Sequence, residues 1–349
     1  MAQTKTKDTT STAFKPTWKR MLTGDRPTGP LHLGNYVGSL KMRVELQEKI
    51  DCFVFMADLH VLTTRTHDLQ EIGKNIRECV LGYLSVGIDP AKTTIYLQSL
   101  VPEVLELLWL LMPLVSVPRA QRIPTLKEQV RDLQLESASM ALLSYPILQS
   151  ADIMMVRGDV VPVGKDQASH IELTREIAHR FNQTYGEVFP EPDAPITPVL
   201  IGTDGQAKAS ASIGNIILLS DPPDVVETKV RSMYTDPNRI RADIPGRVEG
   251  NPVFIYHDHF NDDRAEVDDL KERYVKGAVG DVEVKQKLAA AINRFLDPIR
   301  DRRAGFEKQK GLVEDIIRTG SARARAECHE TLALAREAMG LTYFRELEA

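Results

Sequence analysis

A Gly/Pro-rich stretch at 23–39, TGDRPTGPLHLGNYVGS, limits the fold more than any other part of the chain. Residues 19–22 read as the end of a short strand. Residues 36–47 place Tyr36, Val37, Leu40, Val44 and Leu46 on a broadly helical pattern. A strand, a tight turn and a helix start therefore follow one another. Gly29 and Gly34 carry no Cβ, so backbone amides can come close to a phosphate, and a helix N-terminus favours negative charge. A nucleotide is the natural guest. Two common phosphate binders are excluded, because no Lys-Ser/Thr follows Gly29 and no Gly-x-Gly-x-x-Gly is present.

The rest of the first half continues the alternation. Residues 50–62, IDCFVFMADLHVL, form a run of the kind found in buried parallel strands, ending in Asp58-Leu59-His60. Helical periodicity spans 72–86, Gly87-Ile88-Asp89-Pro90 stops it, and 93–98 is a second β-rich run. The order β-α-β-α-β predicts a doubly wound parallel α/β sheet, with ligands at the carboxyl ends of its strands. Helices are expected at 103–117 and 125–143, as an insertion at about 103–143. The chain of 349 residues, 42% hydrophobic and 27% charged, is long enough for two domains. We expect a lead without order at 1–18, a catalytic domain at 19–220 and a helical domain at 221–349, whose last helix is a candidate to return to the catalytic domain.

Bulk properties exclude several classes. Cys52, Cys79 and Cys328 are far apart and form no zinc-type spacing, so three reduced, core or partly buried thiols are expected. No apolar run reaches the ~18 residues of a membrane helix, and 105–117 is interrupted at Pro113 and bounded by Pro118. The N-terminus lacks the apolar region of a signal peptide. A cytoplasmic protein with no membrane association is the expectation. The net charge of −5 argues against general nucleic-acid affinity, although a local basic face can still hold RNA.

A second informative stretch is 145–180, YPILQSADIMMVRGDVVPVGKDQASHIELTREIAHR. Pro146 suits a first helical position, and Tyr145, Gln149 and Asp152 follow at i, i+4 and i+7 on one face. Ala151, Ile153, Met154 and Met155 flank Asp152, so its carboxylate is expected to be buried and to need a donor. A strand at 159–163 and the turn Gly164-Lys165-Asp166-Gln167 then bring more polar groups to a strand's carboxyl end, ahead of a long amphipathic helix.

Pro27-Thr28-Gly29-x-Leu31-His32-x-Gly34-Asn35 resembles the His-x-Gly-His signature of class I aminoacyl-tRNA synthetases, with the Asn common in the tryptophanyl branch. Tyr145-Pro146, Ala151-Asp152-Ile153, Val161-Pro162-Val163-Gly164-x-Asp166-Gln167 and His170-Ile171-Glu172-Leu173-Thr174-Arg175 are similar to the tryptophan-pocket segment of tryptophanyl-tRNA synthetases. The resemblance spans nearly the whole chain. It implies that Asp152 accepts the indole N–H, that Tyr145 and Gln167 help hold the amino acid, and that Val161 and Val163 wall the indole. Gln149 stands where Met is frequent and is also assigned to this pocket. A carboxylate aimed at an N–H disfavours a plain aromatic guest, which would leave it unpaired.

For ATP, the resemblance points to Arg26, Pro27, Thr28, Gly34, Asn35, Gly164, Lys165 and Asp166, the last reaching the ribose, and to the loop residues Lys208, Ala209, Ser210, Ala211 and Ser212. His32, Thr28 and Lys208 are the catalytic candidates, and Mg²⁺ is expected on the ATP phosphates. The family's Lys-Met-Ser-Lys-Ser loop is only partly present in 204–215, DGQAKASASIGN: Lys208, Ser210 and Ser212 match, whereas Ala209 and Ala211 replace Met and the second Lys. A preorganised charge of that kind is worth about 10² to 10³ in rate. Arg26, where the branch often has Gln, is a candidate to supply some of it.

Met233-Tyr234-Thr235-Asp236-Pro237 also looks like the family, and Asn251-Pro252-Val253-Phe254 opens the helical half. Helices are expected at 268–275, 283–294, 298–309, 312–318 and 322–339. Residues 294–325 carry nine Lys/Arg against five Asp/Glu, in the region that meets the tRNA anticodon in the family. The implied function is ATP-dependent activation of L-tryptophan and its transfer to tRNA(Trp) by a homodimer, with 105–117 a candidate seam. Two alternatives stay open: a tryptophan-binding paralogue with weak or no aminoacylation, and a tyrosine-specific relative. A smaller nucleotidyltransferase sharing the signature is disfavoured by the 145–180 segment and the helical tail.

Overall fold

The computed structural model describes residues 14–64, 70–206, 208–211 and 213–343. Its centre is a parallel sheet of β1 (Arg20–Asp25), β2 (Asp51–Met56) and β3 (Thr93–Leu97) in that order. Met21 lies opposite Cys52, and Cys52 opposite Thr93. All of β2 beyond Asp51 is buried, as expected of a strand covered on both faces. Helix α1 follows β1 as a turn Leu33–Asn35, a π turn Tyr36–Leu40 and the segment Lys41–Leu46. Helix α2 (Ile72–Val86) joins β2 to β3 and ends at Gly87, whose φ of 103° only glycine adopts easily.

Beyond β3 the chain returns to the other side of β1. Val160 bridges Met21 and Asp193 in parallel, and Val163 bridges Ile196. The expected strand at 159–163 is therefore reduced to isolated bridges at Val160 and Val163, and 193–196 pairs beside it at the edge, which the sequence did not reveal. The strand order reverses beside β1, which opens a crevice at the carboxyl ends of the strands.

Several local expectations yield to tertiary contacts. The run at 50–62 stops as a strand at Met56, and Asp58–Val61 is a helical turn. Asp58 Oδ1 accepts from Ser99 N at 3.0 Å, and Gln98 Oε1 accepts from Leu59 N at 3.2 Å, replacing ladder bonds. The predicted helix 103–117 is α3 (Glu103–Leu111), a short 3₁₀ turn and a second turn Val117–Ala120. The helix predicted at 125–143 splits into α4 (Pro124–Asp132) and the start of α5 (Met140–Met155), because Gln134 takes a φ of 52° between them. Pro146 is thus inside α5 and not at its first turn; Ser139 is the cap, accepting from Leu142 N. Helix α6 (Ala168–Tyr185) is the long amphipathic one foreseen.

The helical half comprises α7 (Pro223–Arg231), α8 (Pro252–Phe260), α9 (Arg264–Lys276), α10 (Asp281–Glu307) and α11 (Leu312–Ala338). Two pairs of predicted helices merge, since Pro298 lies within α10 and Gly320 within α11. The expected boundary at 220/221 is not a break in the core: Val226, Phe254, Leu288 and Ile292 share one apolar cluster with Val54, Met56 and Tyr83. Helix α11 lies along β3, with Leu97 N donating to Ser321 Oγ (3.3 Å) and Arg323 Nη1 to Thr94 Oγ1 (2.7 Å). Residues 14–18, assigned above to the lead, also belong to the fold. Trp18 is buried and its Nε1 donates to Asp193 Oδ2 at 2.8 Å. Residues 1–13 lie outside the described residues.

A Cβ at Gly320 would sit 1.9 Å from the Ile95 carbonyl oxygen. Gly320→Ala on an exposed helix would stabilise by up to ~1 kcal/mol. Here it should destabilise by about 1–3 kcal/mol or more by overpacking. A lower urea midpoint is the expected result, and an unchanged or raised midpoint would mean that α11 does not lie so close to β3.

Candidate functional site

The His32-Leu33-Gly34-Asn35 tetrapeptide is a capping box. His32 Nδ1 accepts from Gly34 N (3.1 Å) and Asn35 Oδ1 accepts from His32 N (2.9 Å), satisfying two donors at the start of α1. A Cβ at Gly34 would lie 2.8 Å from the His32 ring, so the folded-back imidazole requires glycine there. At Gly29 a Cβ would meet nothing within 4 Å. A backbone N–H can only donate, so Nδ1 is bare and the neutral ring carries its hydrogen on Nε2. Burial, helped by the Lys208 charge and opposed by Asp25, lowers the His32 pKa to about 4. At neutral pH His32 is an uncharged N–H donor.

Two cavities meet at this helix. A cavity of about 410 Å³ is lined by Arg26, Tyr145, Gln149, Asp152, Val161 and Val163. A second, of about 200 Å³, is lined by His32, Gly34, Asn35, Asp166, Lys208 and Ala209. Gly38, Ser39, Gly164 and Gln167 line both, and the first two come from the π turn of α1. The i, i+4, i+7 spacing of Tyr145, Gln149 and Asp152 thus places all three on one wall. Pro27, Thr28 and Lys165 line neither cavity; Thr28 and Lys165 are exposed, and Pro27 is buried. Sequence adjacency to the site's turns did not bring these side chains to either cavity.

Asp152 is 1% exposed at the wall of the larger cavity. Gln98 Nε2 donates to both of its oxygens (2.8 and 2.9 Å) and His60 Nε2 lies 2.9 Å from Oδ2. Burial raises the Asp152 pKa, opposed by the bonds to His60 and Gln98. Neither partner was singled out from the sequence, yet a signal existed: both stand just past buried strands, at the carboxyl ends where ligands collect. Tyr145 Oη lies 2.7 Å from Thr125 Oγ1 and 3.1 Å from His170 Nε2. Arg26 donates to Thr64 Oγ1.

A buried ion pair supports the junction. Asp25 Oδ2 accepts from Arg43 Nη1 (2.6 Å) and Tyr83 Oη (2.7 Å), and Arg43 Nε donates to Ser39 Oγ (2.7 Å). Burial raises the Asp25 pKa, but Arg43 and Tyr83 outweigh it and the net shift is downward. An arginine amid the apolar positions of α1 was the missed signal.

The loop at 204–215 is a hairpin-like turn closed by the Ile201–Lys208 bridge and by Asn215, whose Oδ1 accepts from Ser210 N at 2.9 Å. Asn215 Nδ2 also donates to both Asp204 oxygens at 3.1 Å. Lys208 Nζ is 3.5 Å from Asp166 Oδ2. Burial raises the Asp166 pKa, but Lys208 and a bond from Gln167 bring it below the usual carboxylate range. Ala209 is buried beside Gly34, Ala211 is exposed, and Ser212 lies outside the described residues. Cys52, Cys79 and Cys328 are buried free thiols, each pushed up to about 12 by burial.

Comparison with known proteins gives these cavities a class. The family of class I tRNA synthetases for W and Y matches residues 17–297, and the chain belongs to that family. A tryptophan–tRNA ligase of Treponema pallidum (strain Nichols) is 56% identical over 327 residues, 93% of this chain and 97% of its own length. One from Borreliella burgdorferi is 50% identical over 331 residues, 93% and 94% of the two chains. The crystal structure of Campylobacter jejuni tryptophanyl-tRNA synthetase complexed with ADP and tryptophan matches with a TM-score of 0.80 at 34% identity, covering 92% of this chain and 99% of that one. Within its class, then, the chain is of the bacterial tryptophanyl type.

Because folded His32 resists protonation until about pH 4, while the unfolded group titrates near the ordinary imidazole value of 6.5, the unfolded state binds the extra proton between those values. Stability is therefore lost as pH falls through that window. His32→Asn keeps an acceptor at the cap but does not titrate. Melting temperatures from pH 7 to 4.5 should shift in the variant's favour as pH drops, and a parent-to-variant gap that is constant with pH would contradict the buried neutral imidazole.

Proposed function

We propose that the larger cavity takes L-tryptophan and the smaller one ATP, and that the chain activates the amino acid and transfers it to tRNA(Trp). The observation that carries this reading is the Asp152 carboxylate, buried at the wall of the larger cavity and aimed by Gln98 and His60. Such an acceptor suits an indole N–H between the Val161 and Val163 walls, and it penalises an aromatic ring without a donor. Tyr145, Gln149 and Gln167 supply polar groups for the rest of the amino acid.

In the first step a tryptophan carboxylate oxygen bonds to the α-phosphorus, the bond from that phosphorus to the bridging oxygen breaks, and pyrophosphate leaves. In the second, a terminal ribose hydroxyl of the tRNA attacks the activated carbonyl and AMP leaves. No covalent bond to the protein is needed. The chain contributes position and charge. The Nε2–H of His32 serves a phosphate oxygen, Asp166 the ribose, and Lys208 the pyrophosphate once it leaves Asp166. Mg²⁺ arrives on the ATP phosphates. Arg26 lines the cavity beside the turn and adds positive charge, in a site where Ala211 supplies none.

Asp152→Ala should raise the tryptophan KM in tryptophan-dependent pyrophosphate exchange by about 10- to 100-fold, since two buried donors lose their acceptor. The ATP KM should stay nearly unchanged. Equal loss for both substrates would count against this placement of tryptophan. Exposed Ala211 motivates a second reading, a paralogue that binds tryptophan with little activation. Ala211→Lys should raise exchange with little change in tryptophan affinity. No exchange in either the parent or Ala211→Lys, with tryptophan still bound, would leave the binding protein standing.

The exposed apolar side chains of α3 and its surroundings support a homodimer. Trp109 is 72% exposed, Met140 73%, and Leu105 and Val117 about half. Lone exposed apolar residues are ordinary, but several on neighbouring helices suit a surface that is covered by a second copy. Trp109→Glu should convert a dimer into a monomer by light scattering at micromolar concentration; a parent that is already monomeric and fully active removes the proposal. The basic excess at 294–325 fits contact with the tRNA anticodon. No helix among the described residues is long and apolar enough to cross a membrane, and we place the protein in the cytoplasm with translation.

A further inference from the structure

The buried pair under α1 sends one further bond to the surface of the site. Arg43 Nη1 donates to Asp25 Oδ2 at 2.6 Å, and Arg43 Nε donates to Ser39 Oγ at 2.7 Å. Arg43 is 2% exposed, so its guanidinium cannot swing out into water and leave the serine. Ser39 belongs to the π turn of α1 and, with Gly38, Gly164 and Gln167, lines both cavities. Of these four, the glycines bring no side chain, and Gln167 Nε2 donates to Asp166 Oδ2 at 3.2 Å. The Ser39 hydroxyl is left at the place where the cavities join.

A guanidinium can only donate, so one lone pair of Ser39 Oγ is taken and its hydrogen must point away from Arg43. A helical serine commonly returns that hydrogen to the carbonyl four residues back, as Ser150 does to Pro146 at 3.1 Å in α5. Ser39 makes no such bond: among the described residues Arg43 is its hydrogen-bond partner and none accepts from it. The hydrogen is available to a guest. The cation behind the oxygen strengthens the O–H as a donor and makes the oxygen a poor acceptor for a second positive group. With tryptophan in the larger cavity and ATP in the smaller, an amino-acid carboxylate and an α-phosphate meet at the junction. Both are anionic acceptors, and their repulsion grows as the new oxygen–phosphorus bond forms. A donor fixed at that point serves the transition state more than either substrate alone.

We infer that Ser39 is a further catalytic residue of the activation step, its hydroxyl hydrogen turned by Arg43 to the oxygens where carboxylate and α-phosphate join. This rests on the proposed placement of tryptophan and ATP in the two cavities. Its signature is selective, because it concerns the anionic junction and neither the indole, the ammonium group nor the adenine.

In tryptophan-dependent pyrophosphate exchange, Ser39→Ala should lower kcat by about 10- to 100-fold while the KM values of tryptophan and ATP change much less. Ser39→Thr keeps an O–H on the same Cβ and should recover most of the rate. Calorimetry gives a reading that does not depend on turnover. Tryptophanyl sulfamoyl adenosine, a stable analogue that carries the joined linkage, should bind Ser39→Ala about tenfold less tightly. Tryptamine, without a carboxylate, and adenosine, without phosphates, should bind the parent and the variant alike, which also shows that the variant is folded. If Ser39→Ala does not fold, Ser39→Cys takes its place, since a thiol accepts and donates weakly and should show the same selective loss. A parent with no exchange and no affinity for tryptamine would remove the placement on which the inference rests. A parent that exchanges, paired with a Ser39→Ala variant unchanged in kcat and in analogue affinity, would overturn the inference itself. So would equal losses for tryptamine and the analogue, because Ser39 would then only brace Arg43 or face the ammonium group.

Discussion

Burying the Asp152 carboxylate makes the strongest single demand on this structure. A charge with so little access to water is tolerated only when donors surround it, and here acceptor and donors come from three separate elements. Gln98 directly follows β3, His60 lies on the turn after β2, and Asp152 itself is near the end of α5. The ends of two strands and one helix must therefore converge within hydrogen-bonding distance. Phe55 and Tyr96, paired across β2 and β3 near their carboxyl ends, stack at 5.4 Å and hold those ends together. Gly24 lets β1 pass over the Phe55 ring, where a Cβ would be 2.4 Å away. The position of the larger cavity follows from this convergence.

The charges of the site fall into two kinds, and the difference suits their roles. Asp25 and Arg43 form a pair in which the arginine is buried and the carboxylate is about four-fifths covered, with Tyr83 and Ser39 as further partners. Removing one member would strand a buried charge, so the pair fixes the π turn of α1 against β1. Lys208 and Asp166 are both more than 40% exposed and 3.5 Å apart. A pair of that kind is worth less than ~1 kcal/mol, so a triphosphate can draw Lys208 away at little cost. The floor of the site is rigid, and its cation is available.

Local pattern was a good guide wherever the side chains concerned lie within a turn or two of one another. The helix at 72–86 was placed to the residue, because apolar periodicity and Gly87 both act locally. The common face of Tyr145, Gln149 and Asp152 followed from helical spacing alone, as did the strands β2 and β3 from their buried-type runs. Proline and glycine misled. Local rules make Pro146 and Pro298 helix boundaries and Gly320 part of a break, yet all three lie inside helices whose packing outweighs the local cost. At Gly320 the requirement is space beneath Ile95, which no local pattern records.

What the sequence by itself determined is therefore the family, the alternation of strands and helices, and the chemical types in each short motif, since these depend on neighbours along the chain. The tertiary structure alone decided which groups meet. His60 reaches Asp152 across 92 positions, Gln98 across 54, and Thr125 reaches His170 across 45. It also kept Thr28 and Lys165 out of the cavities and joined the helical half to the catalytic core. The physical reason is the same in each case: a buried polar group must find its partner wherever close packing of the whole chain puts one, and that partner leaves no mark at the residue that needs it.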